Sequence, residues 1–186
     1  PKGVASAAAD DFASRYVYDD LDRVIRTASD EVTGAARTAV THYCYEADDD
    51  LASITSPRAG LTSLNCPATS GQPFTTRFSY DDAHQVLTVK DAEGRVTSAT
   101  YDANGNQETV TDAAGTPTTI GYDQRNRPTR QTAKFDALTG GHDLVTSWGY
   151  DGNGNVTEVA PPRANDAAGA GNPVDFVTRY AYDDLN

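Results

Sequence analysis

The sequence predicts an all-β fold: tandem β-hairpins that make a strongly curved antiparallel sheet. Three observations carry this reading. A tyrosine-acid pair recurs along the chain, the residues before each pair alternate in character, and the residues after it have turn chemistry. The pairs begin at Tyr18, Tyr45, Tyr80, Tyr101, Tyr122, Tyr150 and Tyr182. Each is Tyr-Asp except Tyr45-Glu46. The shortest spacing, Tyr80 to Tyr101 and Tyr101 to Tyr122, is 21 residues and defines the basic unit; longer spacings carry insertions.

The strand before each tyrosine comes first. Two residues back stand Tyr16, Tyr43, Phe78, Ala99, Ile120, Trp148 and Tyr180; four back stand Ser14 and then threonines from Thr41 to Thr178. Three back the residue is always polar: Arg15, His42, Arg77, Ser98, Thr119, Ser147 and Arg179. A period of two with unlike faces is the pattern of a strand. One face carries tyrosine, aromatic and threonine side chains; the other carries polar and small ones. With hydrophobic residues at 38%, aromatics are expected to supply much of the burial. The expected anchors are the seven tyrosines.

The turn follows. The acids Asp19, Asp81, Asp102, Asp123, Asp151 and Asp183 stand first in a four-residue turn. The fourth position holds Asp22, Asp49, His84, Gly105, Asn126, Gly154 and Asn186, residue types that tolerate positive φ. A type I turn closed by a left-handed residue needs this combination. A second set of turns, Asp91 to Gly94 and Asp112 to Gly115, repeats the device at the opposite edge. The chain therefore reads as one array, 1–186, of about seven repeats and roughly thirteen strands, too many to remain open and flat. Proline, glycine and hydroxyl-rich insertions interrupt it near 56–73, 134–143 and 160–173. It begins at Pro1 and stops in mid-repeat, which reads as an excerpt of a longer array.

Charge and composition exclude several functions. A net charge of −12 disfavours nucleic acid, whose phosphates would repel the chain. No apolar run approaches the ~20 residues of a membrane-spanning helix. No catalytic or cofactor-binding residues are expected: active sites do not recur with a strand period, and P-loop, dinucleotide and nucleophile-elbow motifs are missing from the sequence. The stretches 102–108 and 151–158 have calcium-loop flavour, but Gln107 and Val156 occupy the place of the required glycine. Asp48, Asp49 and Asp50 read as a solvated turn, and the three histidines lack metal-ligand spacing, so no metal site is expected. Cys44 and Cys66 are the two cysteines. In an oxidising compartment they would close a loop of roughly 20 residues for about 3 kcal/mol; two unrelated thiols are the other reading.

The repeat resembles that of the Rhs family, also called YD-repeat proteins, whose pattern is approximately Tyr-x-Tyr-Asp-x-x-Gly-Arg-Leu. RYVYDDLDRVIRT (15–27), SATYDANGN (98–106), WGYDGNGNV (148–156) and RYAYDDLN (179–186) carry the likeness. Repeats one, two, three, five and seven depart from it at the glycine, and two, three, four and six at the arginine. The resemblance implies a spiral of hairpins forming a hollow shell, secreted or on the cell surface. In bacterial members such as toxin-complex C subunits the shell encloses a C-terminal toxin; the more distantly related teneurins use a similar barrel in adhesion. The implied partners are the remaining repeats of the parent chain and an enclosed toxin or effector polypeptide. The family's self-cleaving aspartate segment has no counterpart in this sequence, so the likeness implies wall and not protease. The rival expectation is a carbohydrate- or cell-wall-binding module built from aromatic hairpins. Such modules expose paired tryptophans, and this chain has Trp148 alone.

Overall fold

A computed structural model describes residues 14–31, 37–59, 73–134, 143–162 and 176–183, and every structural statement below concerns those residues. They form an all-β, antiparallel fold of thirteen strands whose order follows the chain. The strands are β1 (Ser14–Tyr18), β2 (Val24–Glu31), β3 (Arg37–Tyr45), β4 (Leu51–Thr55), β5 (Thr75–Tyr80), β6 (Val86–Lys90), β7 (Val96–Tyr101), β8 (Gln107–Thr111), β9 (Pro117–Tyr122), β10 (Pro128–Ala133), β11 (Leu144–Tyr150), β12 (Val156–Ala160) and β13 (Thr178–Arg179). One 3-10 turn, Pro57–Ala59, follows β4. The remainder of the three expected insertions, 60–72, 135–142 and 163–175, lies outside the described residues, as do Cys66 and the last residues of the seventh turn.

The chain divides into two compact units. The first comprises 1–84 and 89–95, the second 85–88 and 96–186. In the first unit β1 to β5 pair in succession; in the second β7 to β13 do so. Five of the repeat tyrosines end their strand at a register shift and face the residue six positions on: Tyr18 opposes Val24, Tyr45 opposes Leu51, Tyr101 opposes Gln107, Tyr122 opposes Pro128 and Tyr150 opposes Val156. The shift has a backbone cause. The fourth turn residue is left-handed in every described turn of this type: Asp22 (φ 59°), Asp49 (72°), His84 (60°), Gly105 (84°), Asn126 (59°) and Gly154 (100°). A turn closed this way adds one residue to the returning strand, the geometry of a bulge.

Burial falls differently from the expectation that aromatics would supply it. The deepest positions lie on the face opposite the tyrosines. On β3 they are Val40, His42 and Cys44, alternating with half-buried Tyr43 and Tyr45. Across from them sit Ser53 and Thr55 on β4 and Thr75 on β5, with the Thr55 and Thr75 hydroxyls 3.0 Å apart. Val145 and Ala160 hold the same face in the second unit. Small and β-branched side chains are covered by their sheet neighbours more completely than a ring that spans a strand gap. The tyrosine face is instead half-buried, with Tyr101, Tyr122 and Tyr150 all intermediate in exposure.

Candidate functional site

The recurring feature is the edge of the sheet where the tyrosine-acid turns follow one another. Each turn is built by its own acid. Asp19 Oδ1 accepts from the Leu21 and Arg23 amides at 3.0 Å. Asp102 accepts from Asn104 and Asn106, Asp123 from Arg125 and Arg127, and Asp151 from Asn153 and Asn155. Asp81 accepts from Ala83, and at the opposite edge Asp91 and Asp112 do the same for their own turns. These are carboxylates acting as local backbone caps.

The second carboxylate oxygen is taken by the residue after the turn, the arginine position of the repeat pattern, to which the sequence reading gave no role. Arg23 Nε donates to Asp19 Oδ2 at 2.8 Å and Arg127 Nε to Asp123 Oδ2 at 2.8 Å. Asn106 and Asn155 do the equivalent with their amides at 3.0 Å. The carboxylates respond. The Arg127 guanidinium, then the turn amides, hold Asp123 down to about 2. Asp19 is lowered chiefly by Arg23, and Asp102 chiefly by Asn106. Burial pulls Asp91 and Asp151 upward, but their hydrogen bonds outweigh it and both end below the ordinary carboxylate range.

Two sets of bonds then join one hairpin to the next. In the first, each tyrosine hydroxyl donates to the backbone carbonyl of the residue that opens the preceding return strand. Tyr45 reaches Val24 (3.1 Å), Tyr80 reaches Leu51 (3.1 Å), Tyr101 reaches Val86 (3.0 Å), Tyr122 reaches Gln107 (3.0 Å), Tyr150 reaches Pro128 (2.8 Å) and Tyr182 reaches Val156 (2.9 Å). Every acceptor stands six residues after the previous repeat tyrosine. Tyr18, 54% exposed, donates to no described carbonyl.

The second set runs from the fifth position of one turn to the fourth position of the next. Arg23 Nη1 meets Asp49 Oδ1 at 2.5 Å, Gln85 Nε2 donates to the Gly105 carbonyl at 3.1 Å, and Asn106 Nδ2 donates to Asn126 Oδ1 at 2.9 Å. Between repeats two and three the polarity is reversed: Asp50 Oδ2 and His84 Nδ1 lie 2.9 Å apart. That contact, with the charge of Asp50, raises the His84 imidazole above its ordinary value. Where the fifth residue is arginine it also covers the next tyrosine ring, Arg23 over Tyr45 at 4.5 Å and Arg127 over Tyr150 at 4.2 Å, within cation–π range.

Among the other expected residues, Cys44 is buried and disulfide-bonded. Asp183 is exposed beside Tyr182, and its turn continues beyond the described residues. A cavity of about 500 Å³ between the fifth and sixth turns is lined by Asp123, Gln124, Arg125, Arg127, Tyr150, Asp151 and Gly152, all members of the ladder. No described helix is long and apolar enough to cross a membrane.

Successive hairpins with the same turn, joined by tyrosine-to-carbonyl bonds, define a tandem β-hairpin repeat protein. The repeats across residues 80–134 match the RHS repeat family model, over 80–116 and 101–134. No curated protein matches the chain. Among solved structures it is similar to the TcdB2–TccC3–TEV crystal structure, at 16% identity over 82% of this chain with a TM-score of 0.62. It is similar to TcdB2–TccC3 without its hypervariable C-terminal region (15%, 81%, 0.58) and to the Photorhabdus luminescens Tc holotoxin pore (17%, 80%, 0.59). The likeness is one of fold, and the chain spans only about 7–8% of those chains' lengths.

Proposed function

We propose that this chain is a non-enzymatic structural segment of a YD-repeat shell, and that the shell holds a toxin or effector polypeptide inside it. The observation that carries the reading is the repeated hydroxyl-to-carbonyl bond, made by Tyr45 and Tyr80 in the first unit and by Tyr101, Tyr122, Tyr150 and Tyr182 in the second. The aspartates that open the turns cap them and the phenols bind backbone, so this chemistry serves to join one hairpin to the next. The fold shared with TcdB2–TccC3 structures supports the same reading. On this view the seven tyrosines are repeat anchors, their acids are turn caps, and residues 1–186 belong to one array. The parent protein would then be secreted or displayed at the cell surface. Cys44 would pair with Cys66.

Limited proteolysis of the parent chain tests the proposal. A segment downstream of the repeats should resist protease while the shell is folded and become sensitive once the ladder is weakened by joint Tyr101→Ala and Tyr122→Ala substitution. A downstream segment equally sensitive in both would overturn it. Saturable glycan binding by this chain, lost with Trp148→Ala, would favour the aromatic carbohydrate-binding module instead.

A further inference from the structure

We propose that Asp48, Asp50 and His84 form a divalent transition-metal site, of the chemistry that zinc favours, clasping the second turn to the third. One ligand atom from each residue lies within 4.8 Å of the other two. Ligand atoms bound at about 2.1 Å around a tetrahedral ion sit roughly 3.4 Å apart, so a small rotamer adjustment closes the set. Asp48 is exposed and free to make it, while the Asp50 side chain is only 14% exposed and already touches the imidazole.

Three features separate this set from an exposed acidic turn. The first is the imidazole, a nitrogen donor that selects zinc-like ions over calcium or magnesium. The second is that the ligands come from two repeats and are held by backbone on both sides. The Glu46 amide donates to the Asp50 carbonyl at 2.8 Å, closing one turn, and the His84 amide donates to the Asp81 carbonyl at 3.0 Å, closing the other. The third is charge. The other described fifth-to-fourth contacts match a cation with an acid, or an amide with a carbonyl oxygen. Here two carboxylates converge on one imidazole, and a divalent cation balances them. Three protein ligands leave a fourth position for water. Such an ion would do for this joint what the arginine fork and ring contact do between the first and second repeats. The proposal stands whether or not the chain encloses a cargo.

The test is calorimetric titration of the full 186-residue chain with Zn²⁺ at neutral pH, alongside melting curves with and without the ion. One Zn²⁺ per chain and a raised melting temperature are expected. His84→Asn is the informative variant. Asparagine already closes the fifth turn in the same left-handed conformation at Asn126, so the variant keeps its fold but loses the ligand. Its affinity should fall by about tenfold or more, while its metal-free form should still melt in one cooperative transition. Asp48→Asn, which disturbs no inter-turn hydrogen bond, should weaken binding in the same direction. The proposal is overturned if no saturable 1:1 binding is seen up to about 1 mM, where the binding free energy is only about 4 kcal/mol. It is equally overturned if His84→Asn binds Zn²⁺ as tightly as the parent.

Discussion

The hydroxyl of Tyr122 is worth separating from its ring. It makes one neutral hydrogen bond to the Gln107 carbonyl, of a kind that contributes about 1 kcal/mol net. Tyr122→Phe should therefore lower stability by about that much, read from denaturant midpoints at constant slope. Tyr18→Phe, whose hydroxyl meets no described carbonyl, should be close to neutral. A fully buried ring would make truncation to alanine cost about 3–5 kcal/mol; the half-buried ring observed here lowers the expectation to about 2–3 kcal/mol. The carboxylates add a pH dependence with a definite sign. Asp123 titrates at about 2 when folded, below the ~3.9 of an unstructured aspartate. Its contribution is complete above that unfolded value and is lost as pH falls through about 2. His84 runs the other way: raised by Asp50, it stabilises fully below the unfolded histidine value near 6.5 and loses that contribution as pH rises through its folded value. Melting curves of metal-free Asp123→Asn and His84→Asn should each lack the corresponding slope.

At the scale of the hairpin, the fourth turn position controls the register. Gly105 and Gly115 both sit at φ near 85°, but a Cβ at Gly105 would come within 3.1 Å of Gln85 Nε2, whereas one at Gly115 would meet nothing within 4 Å. Gly115→Ala should cost about 1 kcal/mol of backbone strain. Gly105→Ala should cost more, since it also displaces the Gln85 contact with the neighbouring turn. Chemical denaturation of the two variants side by side measures the difference. The strands and left-handed positions were legible in the sequence because both are local: alternation writes the strand, and a short menu of residues writes the turn. The joints were not. The acceptor of Tyr101 lies 15 residues away and that of Tyr80 lies 29 away, and backbone carbonyls leave no mark on sequence. The fifth turn residue varies among Arg, Asp, Gln and Asn. The repeat pattern marks the position by its arginine, but its role as a joint shows only where Arg23, Asp50, Gln85 and Asn106 meet the next turn. For the same reason His84 looked isolated, although it meets an aspartate 34 residues earlier.

Across the whole chain, the placement of the deepest burial on the small-residue face was also hidden from sequence. Threonine, serine and histidine there look like solvent-facing residues until their neighbours are known. The disulfide at Cys44 belongs to that face. If its partner is Cys66, the closed loop of roughly 20 residues is worth about 3 kcal/mol. Adding reductant, or replacing Cys66 with serine, should lower stability by that amount, and the two treatments together should do no more than either alone. A full additive loss would show that the pairing is wrong.

The tyrosine-to-carbonyl joint has a consequence for how such chains change length over generations. Every hairpin offers the same acceptor at its front and the same donor at its back, so the coupling is generic. Excising 102–122, one 21-residue period, would leave Tyr101 running directly into Asp123 with each remaining donor still facing an acceptor of the same kind. Copying that period would add a rung without disturbing those on either side. Unequal recombination within the coding sequence can thus lengthen or shorten the protein in whole steps, each product as well sutured as its parent.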